Sequence, residues 1–100
     1  MTIVVIGQMR FPAENVAEVR PHLAALVRAT REKDGCLAYS AAEDLLDPGL
    51  IRFSELWPDR ASLQRHLQAS HIAPWRAVAA EFGVSGRQFT SYAASDPRPV

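Results

Sequence analysis

The sequence predicts an α+β domain of ferredoxin-like topology, β-α-β-β-α-β, with one antiparallel sheet. The hydrophobic period changes from two residues to about 3.6 and back along the chain, which is typical of strands alternating with helices. The length of 100 residues fits one domain, which we place at residues 1–95 with a flexible tail at 96–100. Strand-like stretches cover residues 2–11, 36–46, 50–57 and 85–94, and helical ones cover 13–33 and 59–82.

The first strand is apolar on both of its faces. Ile3 and Val5 lie on one side, and Val4 and Ile6 lie on the other. Helices can cover only one side of a four-stranded sheet, and a strand with two apolar faces is covered on both. The pattern therefore predicts a homodimer in which the open sheet faces of two copies pack together.

The stretch from Ala13 has the period of an amphipathic helix, and Gly35 follows it as a left-handed C-terminal cap. Pro21 interrupts this stretch, and we expect a kink or a restart there because proline removes a backbone donor. Farther along, Asp59 is the predicted N-cap of one helix and Ser70 that of the next. The inward face of that last helix is predicted to carry His71, Trp75, Val78 and Phe82.

Composition excludes several classes of function. The 11 basic residues equal the 11 acidic ones, so no excess positive charge predicts binding to nucleic acid or to an anionic membrane. No apolar run approaches the roughly 20 residues of a membrane helix. The opening Met-Thr-Ile-Val-Val-Ile-Gly has no basic segment before its apolar run, unlike a signal peptide, and Cys36 has no partner for a disulfide. We expect a cytoplasmic protein.

No phosphate-binding loop, nucleophile elbow or zinc-protease motif is present. A cluster of polar and aromatic residues could instead border one space between the sheet and the helices. The candidate catalytic residues are His66, His71 and Glu55, and the candidate substrate-binding residues are Tyr39, Phe53, Trp57, Trp75 and Phe82.

Glu55 lies in mid-strand between Phe53 and Trp57, where an unpaired carboxylate would cost several kcal/mol of desolvation. It therefore forms a salt bridge to Arg65, to Arg76 or to an arginine of the partner subunit, or it serves as a catalytic base.

The two histidines also leave alternatives open. His66 is either a border histidine with a solvated edge or a proton carrier, and His71 either caps and packs or lines the pocket. They are five residues apart with no acidic residue at metal-ligand spacing, so we expect no metal site.

Four segments carry a family resemblance. Asp34-Gly-Cys-Leu-Ala-Tyr, Asp47-Pro-Gly-Leu-Ile-Arg-Phe-Ser-Glu-Leu-Trp, Leu63-x-x-His-Leu and Ser70-His-Ile resemble the antibiotic biosynthesis monooxygenase (ABM) superfamily. The likeness covers residues 2–94. It implies a dimeric α+β barrel and, for the members most similar to this chain, quinol-monooxygenase-like oxidation of phenols or hydroquinones without flavin or metal. Other members are isomerases of small sugar-like phosphates or enzymes that degrade haem.

The resemblance implies a function for the cluster. In cofactor-free oxidation the substrate, as an electron-rich phenolate, itself reduces oxygen, so the protein binds it, deprotonates it and excludes water. His66 or His71 would be the base, and no cofactor is expected. Haem-degrading members carry Trp, His and Asn where this chain has His66, Arg76 and Gly7-Gln8, so the resemblance does not extend to haem. The alternatives are an isomerase or cyclase of a small carbonyl compound, in which Glu55 and a histidine shuttle protons, and a non-catalytic dimer that binds a small molecule.

Overall fold

Four strands and three helices follow one another in the predicted order in the computed structural model, which describes residues 1–100. The strands form one antiparallel sheet in the order β2-β3-β1-β4, so the ferredoxin-like prediction is confirmed. The elements are β1 (Thr2–Arg10), α1 (Val16–Lys33), β2 (Ala38–Glu43), β3 (Leu50–Trp57), α2 (Arg60–Leu67), α3 (Ile72–Glu81) and β4 (Ser85–Ala94).

The two faces of the sheet have different surroundings. All three helices contribute buried side chains to a core on one face, where Val5 and Phe53 are almost completely buried. The alternate residues point the other way, and there Ile6 is 53% exposed and Tyr92 is 54% exposed. Within a single chain, β1 is therefore covered on one of its two predicted buried faces, and its other face stays exposed. None of the three helices has the length and hydropathy of a membrane span.

Helix α1 runs through Pro21, so the restart, one of the two predicted alternatives, does not occur. Proline in a helix interior removes one hydrogen bond between backbone groups four residues apart. The helix continues because its apolar stripe is anchored on both sides of the proline, by Val19 and by Leu26, which are both buried. A short 3-10 turn at Ala13–Asn15 precedes it.

Two predicted boundaries are wrong. Strand β2 is shorter than the stretch 36–46, because the chain leaves the sheet at Asp44, whose carboxylate accepts a hydrogen bond from the backbone N–H of Leu46. Ser70 does not cap α3, since His71 occupies the N-cap position and makes no side-chain capping bond there. The cap predicted at Asp59 is confirmed by a 2.7 Å hydrogen bond from the Ser62 backbone N–H.

Gly7 in mid-strand β1 provides the space that an aromatic ring occupies. It pairs with Phe53 on one side and Phe89 on the other. A Cβ atom at this position would lie 2.2 Å from the Phe89 ring, so only glycine lets that ring lie across β1. The rings of Phe53 and Phe89 consequently come within 5.2 Å, centroid to centroid, and both line one cavity.

Candidate functional site

A buried carboxylate lies in the middle of the helix-covered face. Glu55 of β3 is flanked in register by Tyr39 of β2 and Val5 of β1, and it is only 4% exposed. The indole Nε1–H of Trp57, two residues along on the same face, donates a 2.9 Å hydrogen bond to Glu55 Oε1. The strand period of two thus supplies Glu55 with a neutral donor.

Burial raises the pKa of Glu55 above its usual range, against the opposing effects of the Trp57 hydrogen bond and the charge of Arg87. Glu55 takes part in none of the five ion pairs of the chain. The salt bridge predicted to Arg65 or Arg76 is therefore absent from this chain. A carboxyl group in such surroundings exchanges a proton at a higher pH than an exposed one.

His66 is one of two buried polar residues of α2, with Ser62, and packs among aromatic rings. Its ring centroid lies 4.8 Å from that of Trp57 and 5.4 Å from that of Tyr39. His66 Nδ1 is 2.6 Å from Oδ2 of Asp34, the residue that ends α1. A carboxylate oxygen only accepts, so Nδ1 carries the proton and Nε2 keeps its lone pair.

The Nε2 atom of His66 makes no hydrogen bond within the protein. No buried polar side-chain atom of the chain lacks a hydrogen-bond partner, so Nε2 retains access to open space. His66 lines the main cavity. Burial lowers the pKa of His66 more than Asp34 raises it, which favours the neutral, proton-accepting imidazole.

His71 meets the same carboxylate from the start of α3. Its Nε2 lies 2.9 Å from Asp34 Oδ2 and 3.4 Å from the hydroxyl oxygen of Thr30. The structure thus brings both histidines together on Asp34, whose side chain is 6% exposed. Sequence reasoning missed Asp34, because its only visible signal was the Asp-Gly pair that ends a helix.

A carboxylate accompanies the two histidines in the fold, although none lies at metal-ligand spacing in the sequence. One potential ligand atom from each of Asp34, His66 and His71 lies within 4.8 Å of the others. Two imidazoles and a carboxylate are a donor set that suits zinc or another first-row divalent metal. Both nitrogens nevertheless lie at hydrogen-bond distance from one oxygen, so the cluster is satisfied by its own donors.

A cavity of about 340 Å³ opens between the sheet and helices α2 and α3. Five of the eight predicted site residues line it, namely Tyr39, Phe53, Glu55, His66 and Trp75. The other three do not. Trp57 is fully buried and holds Glu55, His71 lies behind Asp34, and Phe82 packs against His22 with ring centroids 5.8 Å apart.

Three arginines that sequence reasoning did not select also line the cavity. Arg60 opens α2, Arg76 lies in α3 and Arg87 lies in β4, and all three are exposed, which places them at the solvent end. Their sequence signal is weak, because isolated arginines on three elements resemble ordinary surface residues. Their convergence depends on tertiary structure.

The fold and this site agree with a known class of small α+β proteins. Residues 2–78 match the family model of the antibiotic biosynthesis monooxygenases. The chain therefore belongs to the antibiotic biosynthesis monooxygenase family, which confirms the resemblance seen in its motifs.

Solved structures share the fold over nearly the whole chain. A Deinococcus radiodurans protein, provisionally named an antibiotic biosynthesis monooxygenase, is 28% identical with a TM-score of 0.91, covering 98% of this chain and 97% of its own. Another antibiotic biosynthesis monooxygenase is 32% identical with a TM-score of 0.84, covering 94% and 99%. Rv0793 from Mycobacterium tuberculosis is 25% identical with a TM-score of 0.84, covering 99% and 100%.

A relative known from its sequence is the uncharacterized protein sll1783 of Synechocystis sp. (strain ATCC 27184 / PCC 6803 / Kazusa). It is 29% identical over 70 residues, which are 70% of this chain. The match spans only 48% of the length of that relative, about half of it.

Proposed function

We propose that the protein is a cofactor-independent monooxygenase that oxidises a small phenolic or quinol-like substrate with dioxygen. The observation that carries this proposal is a single aromatic-walled cavity lined by both Glu55 and His66. A volume of about 340 Å³ suits a compound of one or two fused rings. Membership of the antibiotic biosynthesis monooxygenase family supports the same reaction class.

The first step is removal of a phenolic proton by His66. Its Nε2 is free, its Nδ1–H is held by Asp34, and burial keeps the ring neutral. Orientation of an imidazole by a carboxylate fixes the tautomer and stabilises the imidazolium that forms. Glu55 exchanges the second proton with the substrate, since burial raises its pKa and makes its carboxylate a stronger base.

The deprotonated substrate then supplies the electrons. For a hydroquinone, one oxygen atom of O₂ enters the ring to give a hydroxyquinone, and the other leaves as water. All four electrons come from the substrate, so the balance needs no further reductant. Tyr39, Phe53 and Trp75 are the proposed walls that hold the flat ring, and the apolar lining keeps water from the reactive anion.

The predicted residues outside the cavity have indirect roles in this proposal. Trp57 positions Glu55 through its indole N–H, and His71 positions His66 through Asp34. Phe82 contributes packing beside α1 rather than substrate contact.

An oxygen electrode tests the proposal. Wild-type protein is incubated with a panel of benzo- and naphthohydroquinones, and the rate is compared with buffer alone and with His66→Gln. Leu45→Ser is the matched control, because Leu45 is 98% exposed on the β2–β3 connection. Substrate-dependent uptake by wild type and the control but not by His66→Gln is expected. Uptake no faster than buffer throughout the panel contradicts the proposal.

A second candidate is an isomerase or cyclase of a small carbonyl compound. It is favoured by the same pair of groups, since a base and an acid on one cavity suffice to move a proton between two carbon atoms. Anaerobic assays separate the two reactions, because only the isomerase keeps its rate without oxygen. A protein that binds the panel without any turnover is instead a non-catalytic binder.

We also propose that two copies pack through their open sheet faces. Ile6 and Tyr92 are more than half exposed there, and Leu56 of the neighbouring strand is 37% exposed. These side chains lie in adjoining rows across three strands, because Val4 pairs with both Leu56 and Tyr92. A contiguous apolar surface of this kind is typical of a subunit interface.

A further inference from the structure

The cavity carries an excess of positive charge that the whole chain does not have. The chain is neutral, with 11 basic and 11 acidic residues. Among the residues that line the cavity, Arg60, Arg76 and Arg87 are cationic, and Glu55 is the one carboxylate. Arginine from three separate elements therefore faces one buried acid.

None of these three arginines is paired with a carboxylate. The arginine ion pairs of the chain are Arg10 with Asp47, Arg52 with Asp44, and Arg98 with Asp96. Guanidinium groups on a solvated surface need no partner, but groups that border a cavity add their fields inside it. An anion entering this space meets uncompensated charge.

Two of the arginines are also held in position. Arg60 Nη1 donates a 3.0 Å hydrogen bond to the hydroxyl of Ser91. The guanidinium carbon of Arg87 lies 4.4 Å from the centroid of the Phe89 ring, a cation–π arrangement. Each guanidinium has five N–H donors, so these contacts leave most of them free for a ligand.

The buried part of the cavity has a different character. Glu55 lies there on the sheet, against the aromatic rings of Tyr39 and Phe53, and is almost completely buried. A ligand charged at one end only would therefore enter in one orientation, with its anionic group toward the exposed arginines and its apolar body inward.

We propose that the natural ligand is a flat aromatic compound bearing an acid group, a carboxylate or a phosphate, which Arg60, Arg76 and Arg87 bind at the mouth of the cavity. Its phenolic hydroxyl then points toward Glu55 and His66. The orientation of the hydroxyl rests on the oxygenase function proposed above, whereas recognition of the acid group does not. Arginine binds carboxylate and phosphate oxygens in pairs, which adds direction to the charge attraction.

Calorimetric titration with matched probes tests this inference without any turnover. The probes are 6-hydroxy-2-naphthoate and 6-hydroxy-2-naphthyl phosphate, whose acid group and phenolic hydroxyl lie at opposite ends of the ring system, and 2-naphthol, which lacks the acid group. We expect the carboxylate or the phosphate to bind at least about tenfold more tightly than 2-naphthol at low salt, the effect of one good charged hydrogen bond. The acid that binds more tightly identifies the acid group of the ligand, and the affinity difference from 2-naphthol shrinks as the salt concentration rises.

Variants locate the effect. Arg76→Gln and Arg87→Gln each weaken binding of the acid several-fold and leave 2-naphthol unchanged, and the triple Arg60/Arg76/Arg87→Gln variant loses the preference entirely. Arg28→Gln, which removes the same charge from an exposed position of α1, is the control. All of these sites are exposed, so melting curves close to wild type are expected.

Three results would overturn the inference: equal binding of 2-naphthol and both acids, a preference that survives in the triple variant, or no binding of any probe at millimolar concentration. An inactive protein that still prefers the acid would refute the oxygenase proposal and leave this inference standing.

Discussion

The two faces of the sheet are built from the same strands but carry different chemistry. On the helix-covered face, Glu55 lies within an apolar row, and its side chain is sealed except toward one cavity. On the open face, the alternate positions include Ile6 and Tyr92, whose side chains remain more than half exposed. This face carries no buried titratable group. The sheet thus borders a cavity with a buried carboxylate on one side and carries exposed apolar side chains on the other.

This difference shows how a domain of 100 residues combines stability with a polar site. A small domain buries a limited share of its surface, so a second apolar face offers additional burial through association. The buried carboxylate, His66 and His71 are then confined to the covered face, where Trp57 and Asp34 satisfy them with hydrogen bonds. Substitutions on the two faces are therefore expected to have separable effects.

The largest expected effect is on the covered face. Glu55→Gln keeps an acceptor for the Trp57 indole but cannot exchange a proton, so kcat for hydroquinone oxidation should fall by about 10²- to 10⁴-fold. Steady-state oxygen uptake measures this, with circular dichroism as the check on folding. A variant that keeps more than half of the wild-type rate would remove Glu55 from the mechanism.

A charge on the open face should act on assembly instead. Ile6→Glu introduces like charges into the proposed interface between two copies, and we expect the dimer to dissociate with a Kd raised at least about 100-fold. Light scattering coupled to size-exclusion chromatography gives the mass, with Leu45→Ser as the control. If wild-type protein is itself a monomer at high concentration, the open face has a different role.

Substitution of Asp34 tests whether the proposed reaction depends on the orientation of His66 as well as on the groups that exchange protons. Asp34→Asn leaves His66 without its anionic partner, and kcat should fall by about 100-fold while KM changes little. His71→Gln should cost less than tenfold, because it touches Asp34 but does not line the cavity. A larger loss in His71→Gln than in Asp34→Asn would assign the direct role to His71.

Gly7 lies beneath the Phe89 ring on the covered face, and its replacement should mainly affect stability. A Cβ atom in Gly7→Ala would lie 2.2 Å from the Phe89 ring and displace it, at a cost of about 1–3 kcal/mol of the free energy of unfolding. Urea denaturation measures this loss. Phe89→Leu in the Gly7→Ala background removes the clashing ring and should recover part of it, and an absence of recovery would place the strain elsewhere.

The smallest effect concerns pH. Because burial raises the pKa of Glu55 above its unfolded value of 4.5, the native state holds this proton more tightly than the unfolded chain. Its contribution to stability is complete below pH 4.5 and is lost as the pH rises through the folded-state pKa. Glu55→Gln should therefore have a higher Tm than wild type at pH 8, with a gap that narrows toward pH 4. A gap that widens on acidification would contradict the burial account.

Local signals were sufficient for much of the fold. Strand β4 at Ser85–Ala94 and the cap at Asp59 were predicted from the neighbouring residues alone, because capping and alternation act over a few positions. Ser70 was misassigned for a tertiary reason: His71 is drawn to Asp34, so the helix begins one residue later.

The site was predictable only in part. Glu55 was recognisable as a lone carboxylate within an alternating apolar strand, which is a local pattern. Asp34 lies 32 residues before His66, and no periodicity indicates that they meet. The three cavity arginines likewise come from separate elements, so their common field exists only in the folded chain.

Oxidation of 1,4-naphthohydroquinone under ¹⁸O₂ tests the central claim, that the covered face performs the chemistry. Wild-type protein and Ile6→Glu should both consume oxygen faster than buffer and place one ¹⁸O atom in the hydroxyquinone product, whereas Glu55→Gln/His66→Gln should fall to the buffer rate. A double variant that matches wild type, or product without ¹⁸O, would contradict the account.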